Sequence, residues 1–341
     1  MYSFMNDYSE GAHPKILENL TKYNLEQNIG YGQDKHSEKA KKHMIKFIQN
    51  DNIDIHFIPG GTQTNLLAIS SFLRPHEAVI AANTGHINVH ETGAIEATGH
   101  KVIAMESKNG KLSIESIKKA LDYHSDEHMV KPKMVYISNS TELGTIYKKR
   151  ELSDIKKICD ENNLLLFLDG ARIGSALTCK ENDLSLKEIS NLVDAFYIGG
   201  TKNGALLGEA LVICKDEIKE DFRYLIKQRG ALMAKGFVTG IQFETLFEDD
   251  LFFSLANHAN KMAEKIANSL EELGYSFYTP PMTNQLFPIL SNDILENLSK
   301  EFLYSIEARV DEANSAVRFV TSWATTEESV NKLVNFFKGL Q

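Results

Sequence analysis

The apolar residues of this chain fall into short unbroken runs, separated by longer segments in which apolar positions recur every three or four residues. Runs of Ile, Val, Leu and Phe without polar alternation are what strands covered on both faces require. The candidate strands are Ile53–Ile58, Ala78–Ala82, Lys101–Met105, Met134–Ser138, Leu164–Leu168, Ala195–Ile198 and Ala210–Cys214. The intervening segments read as amphipathic helices. Ile114, Ile117, Ala120 and Leu121 share one face of 114–123, and Leu152, Ile155, Ile158 and Cys159 share one face of 152–162. Seven strands with helical crossovers predict one large, mostly parallel sheet in an α/β fold.

After about Gly240 the pattern changes. A long helix is expected over Leu255–Leu273, with Ala256, Ala259, Met262, Ala263, Ile266 and Leu270 in one stripe and Gly274 as its stop. Short strand-like pieces follow at Ser276–Tyr278, Leu286–Pro288 and Val317–Val320, with Pro280-Pro281 in a turn and a last helix near Glu327–Phe337. The expected organisation is a large domain over 31–240 and a smaller C-terminal α+β domain over 241–341. The N-terminal segment 1–30 is expected to pack on the small domain or on a partner subunit.

Composition narrows the functional classes. With 341 residues, 43% hydrophobic and 24% charged, the chain is expected to fold around a large core rather than stay disordered. Its net charge of −9 repels phosphate backbones and anionic bilayers, so neither nucleic acid nor membrane is an expected partner. Any anionic ligand has to be held by a few local cations. Cys159, Cys179 and Cys214 are far apart and form no CxxC pair, which points to a reducing cytoplasm rather than a disulfide framework or zinc knuckle. The N-terminus has no basic and apolar leader, and no run approaches the roughly 18 apolar residues of a membrane span.

Ligands of open α/β sheets sit beyond the carboxyl ends of the strands, and four such places are unusual here. Pro59-Gly60-Gly61-Thr62-Gln63-Thr64-Asn65 opens a helical run, so its free N–H groups can form an anion cup. An ordinary turn with a Thr cap fits the same residues, and the GK[ST] ending of a Walker A loop is missing. Asp169-Gly170-Ala171-Arg172 puts a carboxylate at the end of an apolar strand, where an unpaired charge is costly, so a cationic partner is expected. A helix cap paired with Arg172 is the plainer alternative. Gly199-Gly200-Thr201-Lys202-Asn203-Gly204 presents a lysine that burial could turn into a nucleophile. Most lone lysines are simply solvated, but this one follows Asp169 by 33 residues, at the next strand end. Finally, His86 and His90 stand at i, i+4 spacing, which raises a metal pair; no third ligand and no HExxH accompany them, so no metal is expected. An imidazole there could instead stack on a flat aromatic cofactor.

An anion cup, a strand-end Asp and a strand-end Lys in this order resemble the pyridoxal-phosphate (PLP) enzymes of the aspartate aminotransferase superfamily. In detail they resemble its threonine aldolase and β-eliminating lyase family. The resemblance implies a fold type I PLP-transferase-like fold. It makes Gly61 and Thr62 phosphate ligands, His86 the ring-stacking residue backed by Glu91, Asp169 the partner of the pyridine nitrogen and Lys202 the Schiff-base lysine. Lys235, with Arg229 as an alternative, is expected to supply the phosphate cation. Arg172 is expected at the ring hydroxyl or the substrate carboxylate, and Arg318 of Val317-Arg318-Phe319-Val320-Thr321 as a fork on that carboxylate. Tyr31 of Tyr31-Gly32-Gln33-Asp34 resembles a residue that reaches the site across a subunit interface, which implies a homodimer or homotetramer.

The chain departs from the family at three places. Glu142, in Ser138-Asn139-Ser140-Thr141-Glu142, stands where a His is usual; Asn6-Asp7-Tyr8-Ser9 replaces an Arg-Ser-Asp start; Thr201 replaces the Ser before the lysine. Ser9 and Glu142 are therefore expected on the substrate side. The implied activity is retro-aldol cleavage of threonine-type β-hydroxy-α-amino acids to glycine and an aldehyde, with His86, Glu91 or a water they position taking the hydroxyl proton. A PLP-dependent β-eliminating lyase or class V aminotransferase-like enzyme is the first alternative. A protein binding metal through His86 and His90, without PLP, is the second.

Overall fold

A computed structural model describes residues 1–340. Its strands are β1 (Tyr2–Ser3), β2 (Asp54–Ile58), β3 (Glu77–Ala82), β4 (Val102–Met105), β5 (Lys131–Ser138), β6 (Leu165–Asp169), β7 (Ala195–Gly199), β8 (Glu209–Ile213), β9 (Gln285–Leu286), β10 (Ile289–Ser291), β11 (Phe302–Leu303), β12 (Ser305–Arg309) and β13 (Asn314–Val320). The seven strands expected from the apolar runs are β2 to β8, and they form one sheet in the order β2-β8-β7-β6-β5-β3-β4. Only β8 runs against the others, pairing antiparallel with both β2 and β7. Every residue of β3, β6, β7 and β8 is buried, because helices cover both faces.

Alternate residues of each strand feed two different cores. Ile80, Val135, Ile137, Leu166, Leu168, Phe196 and Ile198 face one way, toward the apolar stripes of Lys35–Ile48, Ile114–Tyr123 and Lys149–Glu161. Val79, Ala81, Tyr136, Phe167, Tyr197 and Leu211 face the other way, toward Gly61–Phe72 and Phe222–Gln228. Each buried Leu, Ile or Phe contributes about 1.5–3 kcal/mol relative to exposure. The carboxyl ends of β2, β3, β5, β6 and β7 meet on one edge, where β8 begins.

A second sheet, β10-β13-β12 with β9 added against β13, packs its apolar face on Met262, Ile266 and Leu270 of the Leu251–Glu272 helix. The same helix puts Phe252 and Leu255 into the large core, so one amphipathic element ties both sheets together. It ends before Gly274, whose φ of 84° needs the glycine. Ser276–Tyr278 makes only an isolated bridge, Phe277 to Pro288, rather than a strand. Sequence patterning missed β11 and β12: Ser-Ile-Glu-Ala-Arg in β12 is half exposed and carries little apolar signal.

The first residues cross between the two parts. β1 pairs with β11, and Phe4 is buried in the small-sheet core. The chain then runs to the large sheet's edge, and the Pro14–Tyr23 helix packs on Phe237–Glu248, where Asn19 Nδ2 donates to Thr245 Oγ1 at 2.9 Å. The 240/241 division lies inside that last helix. No described helix is long and apolar enough to cross a membrane.

Candidate active site

The strand-end edge holds a cavity of about 590 Å³. Five elements fix its base. Asp169, the last residue of β6, is 4% exposed, and four donors converge on it. Tyr136 and Tyr197, from the flanking strands β5 and β7, each donate a hydroxyl at 2.5 Å. Asn65 Nδ2 donates at 3.0 Å and the Ala171 N–H at 3.0 Å. Burial alone would raise this carboxyl's pKa. The His86 charge and the hydrogen bonds from Tyr136, Tyr197 and Ala171 outweigh it and hold the group below the usual range. Burial, reinforced by Asp169, raises both tyrosines well above their ordinary value, so they stay donors.

His86 stands after β3, one wall up from Asp169. Its Nδ1 meets Glu91 Oε1 at 2.7 Å, and Asn65 Nδ2 donates to the same oxygen at 2.7 Å. Glu91 thus lies behind the imidazole and fixes its orientation. The His86 backbone N–H donates to Glu142 Oε1 at 2.9 Å, which also accepts the Ser138 hydroxyl at 2.6 Å. Burial raises the Glu142 pKa. The His86 and His90 rings are 5.5 Å apart, but His86 Nδ1 is committed to Glu91. Among the described residues no three His, Cys, Asp or Glu side chains gather into a ligand set.

The Gly61–Phe72 helix starts at the cavity without a side-chain cap, and a Cβ built on Gly61 would lie 3.4 Å from the Tyr197 hydroxyl. A Cβ built on Gly60 meets nothing within 4 Å, so the turn faces open space. Lys202 lines the same cavity, with the Tyr8 ring centroid 6.0 Å from its Nζ. Burial lowers the pKa of its amine, and the Arg172 charge lowers it further.

Arg172 does not pair with Asp169. Its fork is filled by Asp7, with Nε to Oδ2 at 2.7 Å and Nη2 to Oδ1 at 3.0 Å, and Asn284 Nδ2 adds a third hydrogen bond at 2.9 Å. Burial would push Asp7 up, but Arg172 and Lys202 hold it below the ordinary carboxylate range. A carboxylate with a depressed folded-state pKa contributes stability above its unfolded pKa of about 3.9 and loses it as pH falls through the folded value. Asp7→Asn leaves Arg172 buried without its counter-charge. We expect it to cost roughly 3 kcal/mol and to flatten the acid limb of a denaturation profile, both read from urea melts across pH.

The cavity therefore brings together Gly61, Thr62, His86, Glu142, Asp169, Arg172, Lys202 and Arg318, with Glu91 bonded behind His86. Arg318 reaches in from β13; its Nη2 donates to the Met5 carbonyl at 3.5 Å, and its buried Nε has no partner. Three expected residues do not line it. Ser9 is exposed, its hydroxyl donating to Asn6 Oδ1 at 3.0 Å, and Tyr8 faces the cavity in its place. Tyr31 and Lys235 lie on a separate surface, where the Tyr31 N–H donates to the Ala234 carbonyl at 3.1 Å and Lys227 Nζ lies 4.6 Å from the Tyr31 ring centroid. Arg229 is exposed as well, its carbonyl accepting from Gln63 Nε2 at 3.2 Å.

Sequence reasoning missed Asp7, Tyr8, Tyr136, Tyr197 and Glu209. For the tyrosines a signal existed: each is a polar-tipped residue inside an apolar run, on the strands either side of Asp169. Asp7 carried none, since its partner is 165 residues away.

The beta-eliminating lyase family model matches residues 7–293. The low specificity L-threonine aldolase of a Pseudomonas strain is 31% identical over 97% of this chain and 95% of its own length. The corresponding aldolase of Pseudomonas aeruginosa is 30% identical, with the same coverage. A solved threonine aldolase of Leishmania major superposes with a TM-score of 0.98 at 51% identity, covering 100% of this chain and 99% of that one. The histidinol-phosphate aminotransferase of Clostridium acetobutylicum, at 16% identity and TM-score 0.75 over 100% of this chain and 99% of that one, is a likeness of fold alone, the fold type I architecture. With the family match spanning most of its length, the chain belongs to the beta-eliminating lyase family.

Proposed function

We propose that this protein is a PLP-dependent lyase that cleaves threonine- and allo-threonine-type β-hydroxy-α-amino acids to glycine and an aldehyde. The observation that carries the reading is one cavity lined by an ionised carboxylate, an uncapped helix start and a buried lysine amine. These residues fit PLP: the open Gly60 turn suits a phosphate, and Asp169, held ionised by four donors, suits a protonated ring nitrogen. When bound, PLP supplies an electron sink for negative charge at the substrate Cα.

The chain's own residues then orient and move protons. With PLP bound, the Gly61 and Thr62 N–H groups would hold its phosphate, Asp169 would hold the ring nitrogen and His86 would stack on the ring, its Nδ1 fixed by Glu91. Lys202 supplies the amine. Because Asp7 fills the fork of Arg172, Arg318 is the guanidinium left to grip the substrate carboxylate. Arg318→Lys is expected to raise KM roughly 10- to 100-fold, the equivalent of about 1.5–3 kcal/mol, with a smaller change in kcat. His86, backed by Glu91, and Glu142 are the cavity groups that would take a β-hydroxyl proton. Ser140 Oγ and Gln285 Oε1, which lack partners, give the substrate end a polar wall.

A homodimer or homotetramer belongs to the same proposal. Tyr31 and Lys235 share one surface outside their own chain's cavity, so a second copy is needed to bring a phosphate cation to the helix start. The large unit over 31–240 binds cofactor, and the small unit over 241–341 contributes Arg318. A reducing, cytoplasmic location fits the three free thiols.

A panel of threonine, allo-threonine and phenylserine, with glycine and aldehyde assayed separately, tests the reaction. Equal yields of both are expected. Glu142 favours one second reading, since a carboxylic acid replaces the usual His beside the substrate hydroxyl. Pyruvate and ammonia without glycine would establish β-elimination, and amino-group transfer to a keto acid would establish an aminotransferase.

A further inference from the structure

Glu209 has no place in the machinery above. It opens β8, the one reversed strand, and pairs with Gly199 at the end of β7, so it sits where the other strands finish. It is 5% exposed and lines the cavity. A carboxyl group in that position needs compensation. Its Oε2 accepts the Gly200 N–H at 2.9 Å, and its Oε1 accepts the Thr201 hydroxyl at 2.8 Å. Thr201 Oγ in turn accepts the Gly208 N–H at 3.0 Å, closing the loop. Both groups that donate to Glu209 belong to the two residues preceding Lys202.

A turn of this kind could be capped by a neutral side chain; a carboxylate adds charge next to a buried amine. The charged groups around Lys202 are Arg172, Asp7, Asp169 and Glu209, and those around Glu209 are Lys202 and Asp169, with the Tyr197 hydroxyl alongside. Asp7 is paired with the Arg172 fork, whereas Asp169 and Glu209 are bonded only by neutral donors, so each of these carboxylates keeps a charge that acts on Lys202. Burial raises this carboxyl to about 7, so it changes charge where a lysine nucleophile has to shed its proton.

We propose that Glu209 is a positioning residue for Lys202: it clamps the Gly200–Thr201 turn that carries the lysine and adds its charge to those that favour the Lys202 ammonium. The inference rests on Lys202 being the reactive amine of the proposed function, and its test needs no cofactor. Pulse labelling of the apoprotein with acetic anhydride across about pH 6 to 11, with the Lys202 peptide quantified by mass spectrometry, gives the titration of that amine. An ionised neighbour favours the ammonium, so Glu209→Gln is expected to move the Lys202 midpoint down by about one pH unit. Glu209→Asp keeps the charge and is expected to hold it near the wild-type value. The wild-type curve should be broader than a single titration, because the two groups titrate together. An unchanged midpoint in Glu209→Gln overturns the proposal. If that variant does not fold, a wild-type curve that fits one isolated proton overturns it. Failure to take up PLP would instead strike the proposed function and leave this result standing.

Discussion

Lys202→Ala is expected to abolish the visible absorption that the wild-type protein should acquire with PLP, and to lower glycine formation on the order of 10³-fold or more. The physical basis is the absence of any substitute. The other cations of the cavity are Arg172, committed to Asp7, and Arg318, a guanidinium that cannot lose its proton and act as a nucleophile. Lys235 lies on another surface. The amine's pKa is pulled down by burial and by Arg172, which prepares it for deprotonation in the neutral range. Its loss should largely spare the fold, since the side chain contributes only the Tyr8 ring contact and a charge that helps hold Asp7 ionised, so a small fall in the urea midpoint is expected. Retention of the absorption band in the variant would refute the assignment of Lys202, while a collapsed urea midpoint would show a structural role.

Asp169→Asn should be nearly as damaging to rate and more damaging to stability. Substitution removes the charge that keeps a ring nitrogen protonated, a preorganised electrostatic contribution of about 10²- to 10³-fold in kcat. It also replaces an acceptor-only group with one that is half donor. Tyr136 and Asn65 share Oδ2, and Tyr197 and the Ala171 N–H share Oδ1. Whichever side receives the amide, two buried donors lose their acceptor, at roughly 1–3 kcal/mol each. A fall of several kcal/mol in urea stability together with the rate loss is the expected result. A variant with unchanged stability and a rate within a few-fold of wild type would remove Asp169 from the site. Since the folded carboxyl lies below its ordinary value, the wild type loses this stabilisation only as pH drops through that depressed value. The Asn variant should lack that acid step.

Much of the fold was legible because burial on both faces leaves an unambiguous trace. The runs that became β3, β6, β7 and β8 contain no exposed residue, and no amphipathic helix could have the same composition. β12 left no such trace, being a short, half-exposed edge strand with a register shift between Ile306 and Ala308. The candidate site was legible wherever a polar residue interrupts an apolar run at a strand end, as Asp169 and Lys202 do. It was not legible where a polar residue sits in a segment with no pattern of its own. Asp7 lies in an irregular N-terminal stretch, and Glu209 reads as an ordinary acidic residue before a strand.

By itself, the sequence determined the seven strands of the large sheet, their two-sided burial and the identity of the groups at their ends, since those follow from local periodicity and from the cost of burying charge. Tertiary structure decided which groups meet. The reversal of β8 carries Glu209 back beside Lys202, and pairing of β1 with β11 brings Asp7 to Arg172. The order β5-β6-β7 flanks Asp169 with two tyrosines. Periodicity records which face of an element is buried, but the partner of a charge depends on strand order and chain reversal, which no local pattern encodes.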